Sequence, residues 1–244
     1  MTVSIISTTE DKPAELNSRL VLFDMDRTLL DVTKYHRQNF LMVLKRLYGV
    51  NELPAAETSG IPAMEVLWRF AKNAGVGESL FQSRVQEAEP LLVENLLAIL
   101  PQDLSSCVLP GAEALLRNLN EEKIPLGLIT GTLRSAAVAI LQRSGLLGYF
   151  PLTVFGDGFN RREQIVKKAL EKAGWVYGLS DGQFQLFTVG DAPSDIQAGK
   201  AFQACTIGVA TGILSCEELL LHEPDHVFND LRDTETLMRV IRET

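Results

Sequence analysis

Six short stretches of this chain are apolar at consecutive positions rather than at alternate ones, and that pattern narrows the folds open to it. They are RLVLFD at 19–24, PLGLIT at 125–130, PLTVF at 151–155, FQLFTVGD at 184–191, ACTIGV at 204–209 and the weaker DHVF at 225–228. A strand with one wet face alternates in polarity; a strand that is apolar throughout is covered on both faces, as in a parallel sheet. Helical patterns fall between the runs, at 114–122, 134–145, 162–174 and 193–202. In 162–174, Ile165, Val166, Ala169, Leu170 and Ala173 share one face at helical spacing. Strands alternating with helices of this length predict an α/β fold, a doubly wound parallel sheet with helices on both sides. Ligands of such sheets sit beyond the carboxyl ends of the strands, so the chemistry is sought there.

One interval breaks the alternation. About a hundred residues separate Asp24 from Pro125 without a convincing strand. They carry helical patterns at 35–49, with Phe40, Val43, Leu44, Leu47 and Tyr48 on one face, at 63–75, and from Glu78 to Leu100. Pro90 is expected to kink or interrupt the last of these. The interval reads as a helical insert over 31–105, splitting a core made of 19–30 and 106–244. Residues 1–18, with Pro13 and no apolar block, read as a flexible tail and not as a signal peptide.

Charge and cysteine usage exclude several functions. The chain has 244 residues and a formal net charge of −8, which argues against a nucleic-acid partner and against capture of phosphate by general surface charge. Any phosphate must be handled locally, by a few aimed donors or a metal. Cys107, Cys205 and Cys216 have no Cys-x-x-Cys spacing and read as small buried hydrophobes in a reducing compartment. No segment approaches the roughly 20 apolar residues of a membrane span, so a cytoplasmic protein without a membrane partner is expected.

The strand ends carry the chemical signal. The first strand runs into Asp24-Met25-Asp26, followed by Arg27 and Thr28. Two carboxylates crowded together are costly unless a cation or a shared proton relieves them. The second ends in Thr130-Gly131, a hydroxyl and a glycine that allows close backbone approach to a ligand. After the third come Arg161 and Arg162, opening a helix where a cation opposes the helix dipole and so suggests an anionic partner. The fourth ends in Asp191, with Asp195 four residues on, behind Pro193 and suited to a helix's first turn. Three converging carboxylates suit Mg²⁺, which keeps several waters and takes a further oxygen from phosphate.

In that order, Asp-x-Asp-x-Thr, Thr-Gly, Arg and Gly-Asp-x-x-x-Asp resemble the haloacid dehalogenase superfamily, and most closely its phosphoglycolate-phosphatase-like branch. The resemblance runs from about Leu20 to Leu237 and includes PGAEALLRNL at 110–119, TGTLRSAA at 130–137 and IGVATG at 207–212. It implies a Rossmann-like core with an inserted α-helical cap, and a Mg²⁺-dependent phosphomonoester hydrolase acting on a small phosphorylated metabolite. It implies Asp24 as nucleophile forming an aspartyl-phosphate, and Asp26 as general acid and base. Thr130, the Gly131 amide and Arg162 would hold the phosphoryl oxygens. Mg²⁺ would be held by Asp24, the Asp26 carbonyl and Asp191, with Asp195 ligating or orienting.

The sequence also departs from the family pattern. Position 27 is Arg where Gly is usual, and its side chain is expected to point away from the crevice. Arg162 is preferred to Arg161 for its spacing to the Ala169–Leu170 face, and Lys167 and Lys168 read as solvated. The loop at 58–64 has no basic residue, which weakens phosphoglycolate as substrate, and His36 is expected to cap or pack. A phosphomutase shares the Asp pair and the cap. A catalytically silent binding protein is the non-enzyme alternative, with Arg27 in place of metal. The oligomeric state stays open.

Overall fold

The computed structural model describes residues 19–56, 58–179 and 183–244, so the expected tail at 1–18 lies outside the described residues. Six strands form one sheet: β1 (Arg19–Phe23), β2 (Leu126–Ile129), β3 (Leu152–Val154), β4 (Gln185–Gly190), β5 (Cys205–Val209) and β6 (His226–Phe228). All pairings are parallel and the order is β3-β2-β1-β4-β5-β6. The chain steps outward from β1 to β3, then returns across β1 to start β4 on its other side. The crevice between the carboxyl ends of β1 and β4 is therefore the switch point, where a doubly wound sheet binds ligands.

Apolar runs are needed because both faces of the sheet are covered. Val21 and Phe23 pack on one side with α4 (Ala112–Glu121), α5 (Arg134–Arg143) and α9 (Thr234–Glu243). Leu20 and Leu22 pack on the other with α6 (Arg162–Tyr177) and α7 (Pro193–Ala201). Helix α9 and the short α8 (Cys216–Leu220) go beyond the sequence reading. α9 is amphipathic, with Leu237, Met238 and Ile241 buried and the Asp233 carboxylate accepting from the Thr236 N–H at its start. Of the cysteines only Cys205 is buried; Cys107 and Cys216 are partly exposed.

Between β1 and β2 lie α1 (Thr33–Tyr48), α2 (Ala63–Asn73) and α3 (Glu78–Ile99), which bury Phe40, Val43, Leu44, Leu67, Phe70, Phe81 and Leu92 against one another. Leu133, just ahead of α5, joins this second apolar cluster and ties it to the sheet half. α3 runs through Pro90 without the expected interruption. Pro90 is exposed, while Ala88, Leu91 and Leu92 face inward. The proline's missing N–H thus falls on the wet side, where the carbonyl it leaves unpaired can be hydrated.

Candidate active site

Asp24 follows β1 directly, and its N–H donates to the Val189 carbonyl of β4, which fixes it at the mouth of the switch point. Asp191 follows β4, and Asp195 sits in the first turn of α7, where its Oδ2 accepts from the Ala192 N–H at 3.3 Å. The helix-start role expected of any acidic residue there is therefore real for Asp195. All three carboxylates are buried, and one oxygen from each lies within 4.8 Å of the others. No room is left for larger neighbours: a Cβ on Gly190 would overlap the Asp195 carboxylate, and one on Gly212 would overlap that of Asp191.

One arginine partly balances this charge. Arg162, at the first turn of α6, reaches Asp24 Oδ1 at 2.5 Å and Asp195 Oδ1 at 2.7 Å through Nη2, which also lies 3.2 Å from the Ile129 carbonyl. The anionic partner suggested by an arginine at a helix start is thus a pair of the protein's own carboxylates. Arg161 instead lies on the surface beside Glu163. The balance is incomplete. Asp191 Oδ2, Asp195 Oδ1 and Arg162 Nε and Nη1 are buried without a hydrogen-bond partner among the described residues. The Asp195 Oδ1 contact is close enough for an ion pair but lacks hydrogen-bond alignment.

Titration follows the same imbalance. Burial pushes Asp24 well above the usual carboxylate range, Arg162 opposes it, and Asp195, Asp191 and Asp26 add to it. Asp195 is raised by burial against the pull of Arg162. Asp191 is pushed up to about 7, first by burial and then by Asp195, with Arg27 opposing. Carboxylates this poorly compensated are suited to a divalent cation, so the residues present fit a Mg²⁺ ion.

Asp26 is held differently. His36 Nε2 lies 3.2 Å from its Oδ1, and Thr132 Oγ1 donates to its Oδ2 at 3.1 Å. Thr132 is fixed in turn by its N–H donating to Thr130 Oγ1. Burial works against protonating His36, but Asp26, helped by Asp31, outweighs it and raises the histidine's pKa. The sequence reading missed Thr132 and treated His36 as a packing or capping residue. A hydroxyl two positions past Thr130 was the available signal.

Two further expectations change. Arg27 does not point away: it lines the crevice, and its charge is felt by both Asp191 and His36. It occupies the left-handed region at φ 61°, with its carbonyl accepting from Thr211 Oγ1 at 2.5 Å and its Nε donating to Thr33 Oγ1 at 2.9 Å. A glycine would adopt that conformation without the strain a side chain adds. Gly131 makes room for protein as well as for any ligand. A Cβ there would overlap the Ile61 carbonyl, and its own carbonyl accepts from the Ala63 N–H at the start of α2. The site opens into a cavity of about 170 Å³ reaching between α1, α2 and α3.

The comparisons with known proteins agree with this geometry. The family model for haloacid dehalogenase-like hydrolases matches residues 21–209. The chain is 25% identical over 238 residues to phosphoglycolate phosphatase of Salmonella choleraesuis (strain SC-B67), covering 89% of this chain and 91% of that protein. It is 26% identical over 222 residues to the pyrophosphatase PpaX of Bacillus pumilus (strain SAFR-032), covering 87% and 93%. Among solved structures, a hydrolase from Pseudomonas syringae superposes with a TM-score of 0.71 at 19% identity, covering 91% of this chain and 98% of that one. Strand order, the convergent aspartates and a family match across most of the chain lead to one assignment: the protein belongs to the haloacid dehalogenase-like hydrolase family.

Proposed function

We propose that this protein is a Mg²⁺-dependent phosphomonoester hydrolase for a small phosphorylated metabolite, working through an aspartyl-phosphate. One observation carries the reading: three buried carboxylates from the ends of β1 and β4 and the start of α7 converge, with one arginine bridging two of them. The phosphatase named among the full-length relatives supports it.

Asp24 is the nucleophile. Its Oδ1 is held by Arg162, which leaves Oδ2 to attack phosphorus as the ester P–O bond breaks. Asp26, steadied by His36 and Thr132, gives its proton to the departing oxygen. It then takes one from the water that splits the aspartyl-phosphate and releases inorganic phosphate. Thr130, the Gly131 N–H and the spare donors of Arg162 hold the phosphoryl oxygens as charge spreads over them. Mg²⁺ would be held by Asp24, the Asp26 carbonyl and Asp191, with Asp195 ligating or orienting, and would supply charge neutralisation at the phosphoryl group. Residues 31–105 act as a cap that excludes water and sets specificity.

The test is hydrolysis of p-nitrophenyl phosphate by wild type and by Asp24→Asn, with Mg²⁺ and with EDTA. Turnover that needs both the carboxylate and the metal is expected. Full activity in Asp24→Asn would overturn the assignment of the nucleophile, and full activity in EDTA that of the metal.

A further inference from the structure

Two guanidinium groups on the cavity wall have no part in the chemistry proposed above. Arg27 follows Asp26 directly and Arg37 lies on α1; both line the cavity, together with Thr33 and His36. Arg27 reaches the first turn of α1, where its Nε donates to Thr33 Oγ1 at 2.9 Å. Thr33 and Arg37 stand four residues apart on that helix and so share one face. The two guanidiniums are thereby brought to the same stretch of wall. Arg27 is half-buried and Arg37 exposed. Asp191 feels the charge of Arg27, yet neither arginine forms an ion pair with a carboxylate among the described residues, in contrast to Arg162.

Their place relative to Asp26 decides what they meet. Thr130, Gly131 and Arg162 stand at the strand ends, on the side proposed for the phosphoryl group. His36, one turn into α1, lies 3.2 Å from Asp26 Oδ1, so the carboxyl proposed to protonate the departing oxygen is held against α1. The leaving group therefore faces the start of α1 and its two arginines. The loop opposite brings Thr58, Ser59, Gly60 and Ile61 to the cavity and no charge, and the wall beyond is apolar, with Phe40, Val66, Phe70 and Leu92. A guanidinium matches a carboxylate or a phosphate in shape as well as in charge, with paired N–H donors facing paired oxygens. An uncharged leaving group would use neither arginine.

We propose that the leaving group carries a second anionic group, a carboxylate or a phosphate, and that Arg27 and Arg37 hold it as specificity-determining residues. The proposal rests on the hydrolase reading above and deepens it by naming the substrate class. It puts the anion subsite on the segment after Asp26, at a position where glycine is usual in the family, and not on the loop at 58–64. Neither arginine touches a reacting atom; they select the ester.

The experiment measures phosphate release by the Mg²⁺-supplemented full chain from phosphoglycolate, ethylene glycol bisphosphate and ethyl phosphate, with p-nitrophenyl phosphate as the generic ester. The kcat/KM for at least one acidic ester is expected to exceed that for ethyl phosphate by about tenfold or more, and the better of the two tells carboxylate from phosphate. In Arg27→Gln and in Arg37→Gln that ratio falls towards one, through KM more than through kcat. Arg37→Lys, which keeps the charge but not the fork, retains part of it. Arg37 is exposed, so its variants keep the test alive if Arg27→Gln does not fold. Lys34→Gln removes an exposed cation of the same helix that does not line the cavity, and is expected to leave the ratio unmoved. An equal fall in Lys34→Gln would reduce the effect to general surface charge and overturn the subsite. Ethyl phosphate as good as both acidic esters, or a ratio that either arginine substitution leaves unmoved, would overturn it too, while leaving the hydrolase reading intact. Failure to hydrolyse any of these esters or p-nitrophenyl phosphate would overturn both.

Discussion

The two ends of this cavity are built on opposite principles. At the strand end, three buried carboxylates face one arginine, and several polar atoms are left without partners among the described residues. At the helical end, α1, α2 and α3 bring Phe40, Val66, Phe70 and Leu92 to the cavity, with His36 and Arg37 beside them at the start of α1. The first arrangement leaves charge unbalanced, which suits it to a cation. The second is mainly apolar, with its charged side chains confined to the start of α1. The two ends meet at Gly131, which touches Ile61 and accepts from the Ala63 N–H.

The sharpest way to break this contrast is to remove the nucleophile proposed for the charged end. Asp24→Asn should lower kcat by at least about 10³-fold, read as phosphate release, because a neutral amide is a poor nucleophile in the same geometry. Next comes the counter-charge. Arg162→Met leaves Asp24 and Asp195 buried without their cation and should cost about 3–5 kcal/mol in urea unfolding of the metal-free protein. Arg161→Ala, on the surface, should stay within about 0.5 kcal/mol. Equal effects of the two would refute the assigned difference.

The unbalanced charge also sets a pH dependence. The pKa values of Asp24, Asp191 and Asp195 are all raised on folding, with burial the leading cause, and Asp191 goes from 3.8 to about 7. The folded state keeps protons that the unfolded state has released, so these groups contribute stability at low pH and lose it as pH rises. The metal-free protein should therefore lose Tm between about pH 4 and pH 7, and Mg²⁺ should restore more of it at pH 8 than at pH 5. A Tm that stays flat or climbs across that window, in the absence of metal, would contradict the burial of these carboxylates.

Smaller effects sharpen the seam and the acid. Gly131→Ala forces a Cβ against the Ile61 carbonyl and should cost about 1–3 kcal/mol, measured by thermal unfolding. Thr132→Val removes one donor to Asp26 and should lower kcat/KM by several-fold, in line with about 1 kcal/mol for a single hydrogen bond.

Legibility in the sequence followed the same division. Apolar runs that end in Asp or Thr-Gly are local signals, so Asp24, Asp26, Asp191, Asp195, Thr130 and Gly131 could be singled out before any fold was known. Arg162 could be separated from its neighbour by helical spacing alone. Asn39 could not, because a polar residue on an amphipathic helix reads as solvent-facing until the opposing helix is in place. Pro90 does not interrupt α3 for the related reason that its cost depends on which side of the helix faces water. The hold of Thr132 and His36 on Asp26 spans sequence separations of 106 and 10 residues, which no local pattern encodes.

By itself, the order of residues along the chain determined a parallel doubly wound sheet, an insertion after the first strand, and a set of carboxylates at strand ends. These follow from periodicity and from the chemical oddity of acids at the end of apolar runs. Tertiary structure decided which charges meet, that Arg162 bridges Asp24 and Asp195, that Arg27 turns into the crevice, and that the Asn39 amide is buried against the Leu92 carbonyl. Those outcomes depend on which elements pack together across the switch point, and burial alone turns an ordinary aspartate or asparagine into one that lacks a partner.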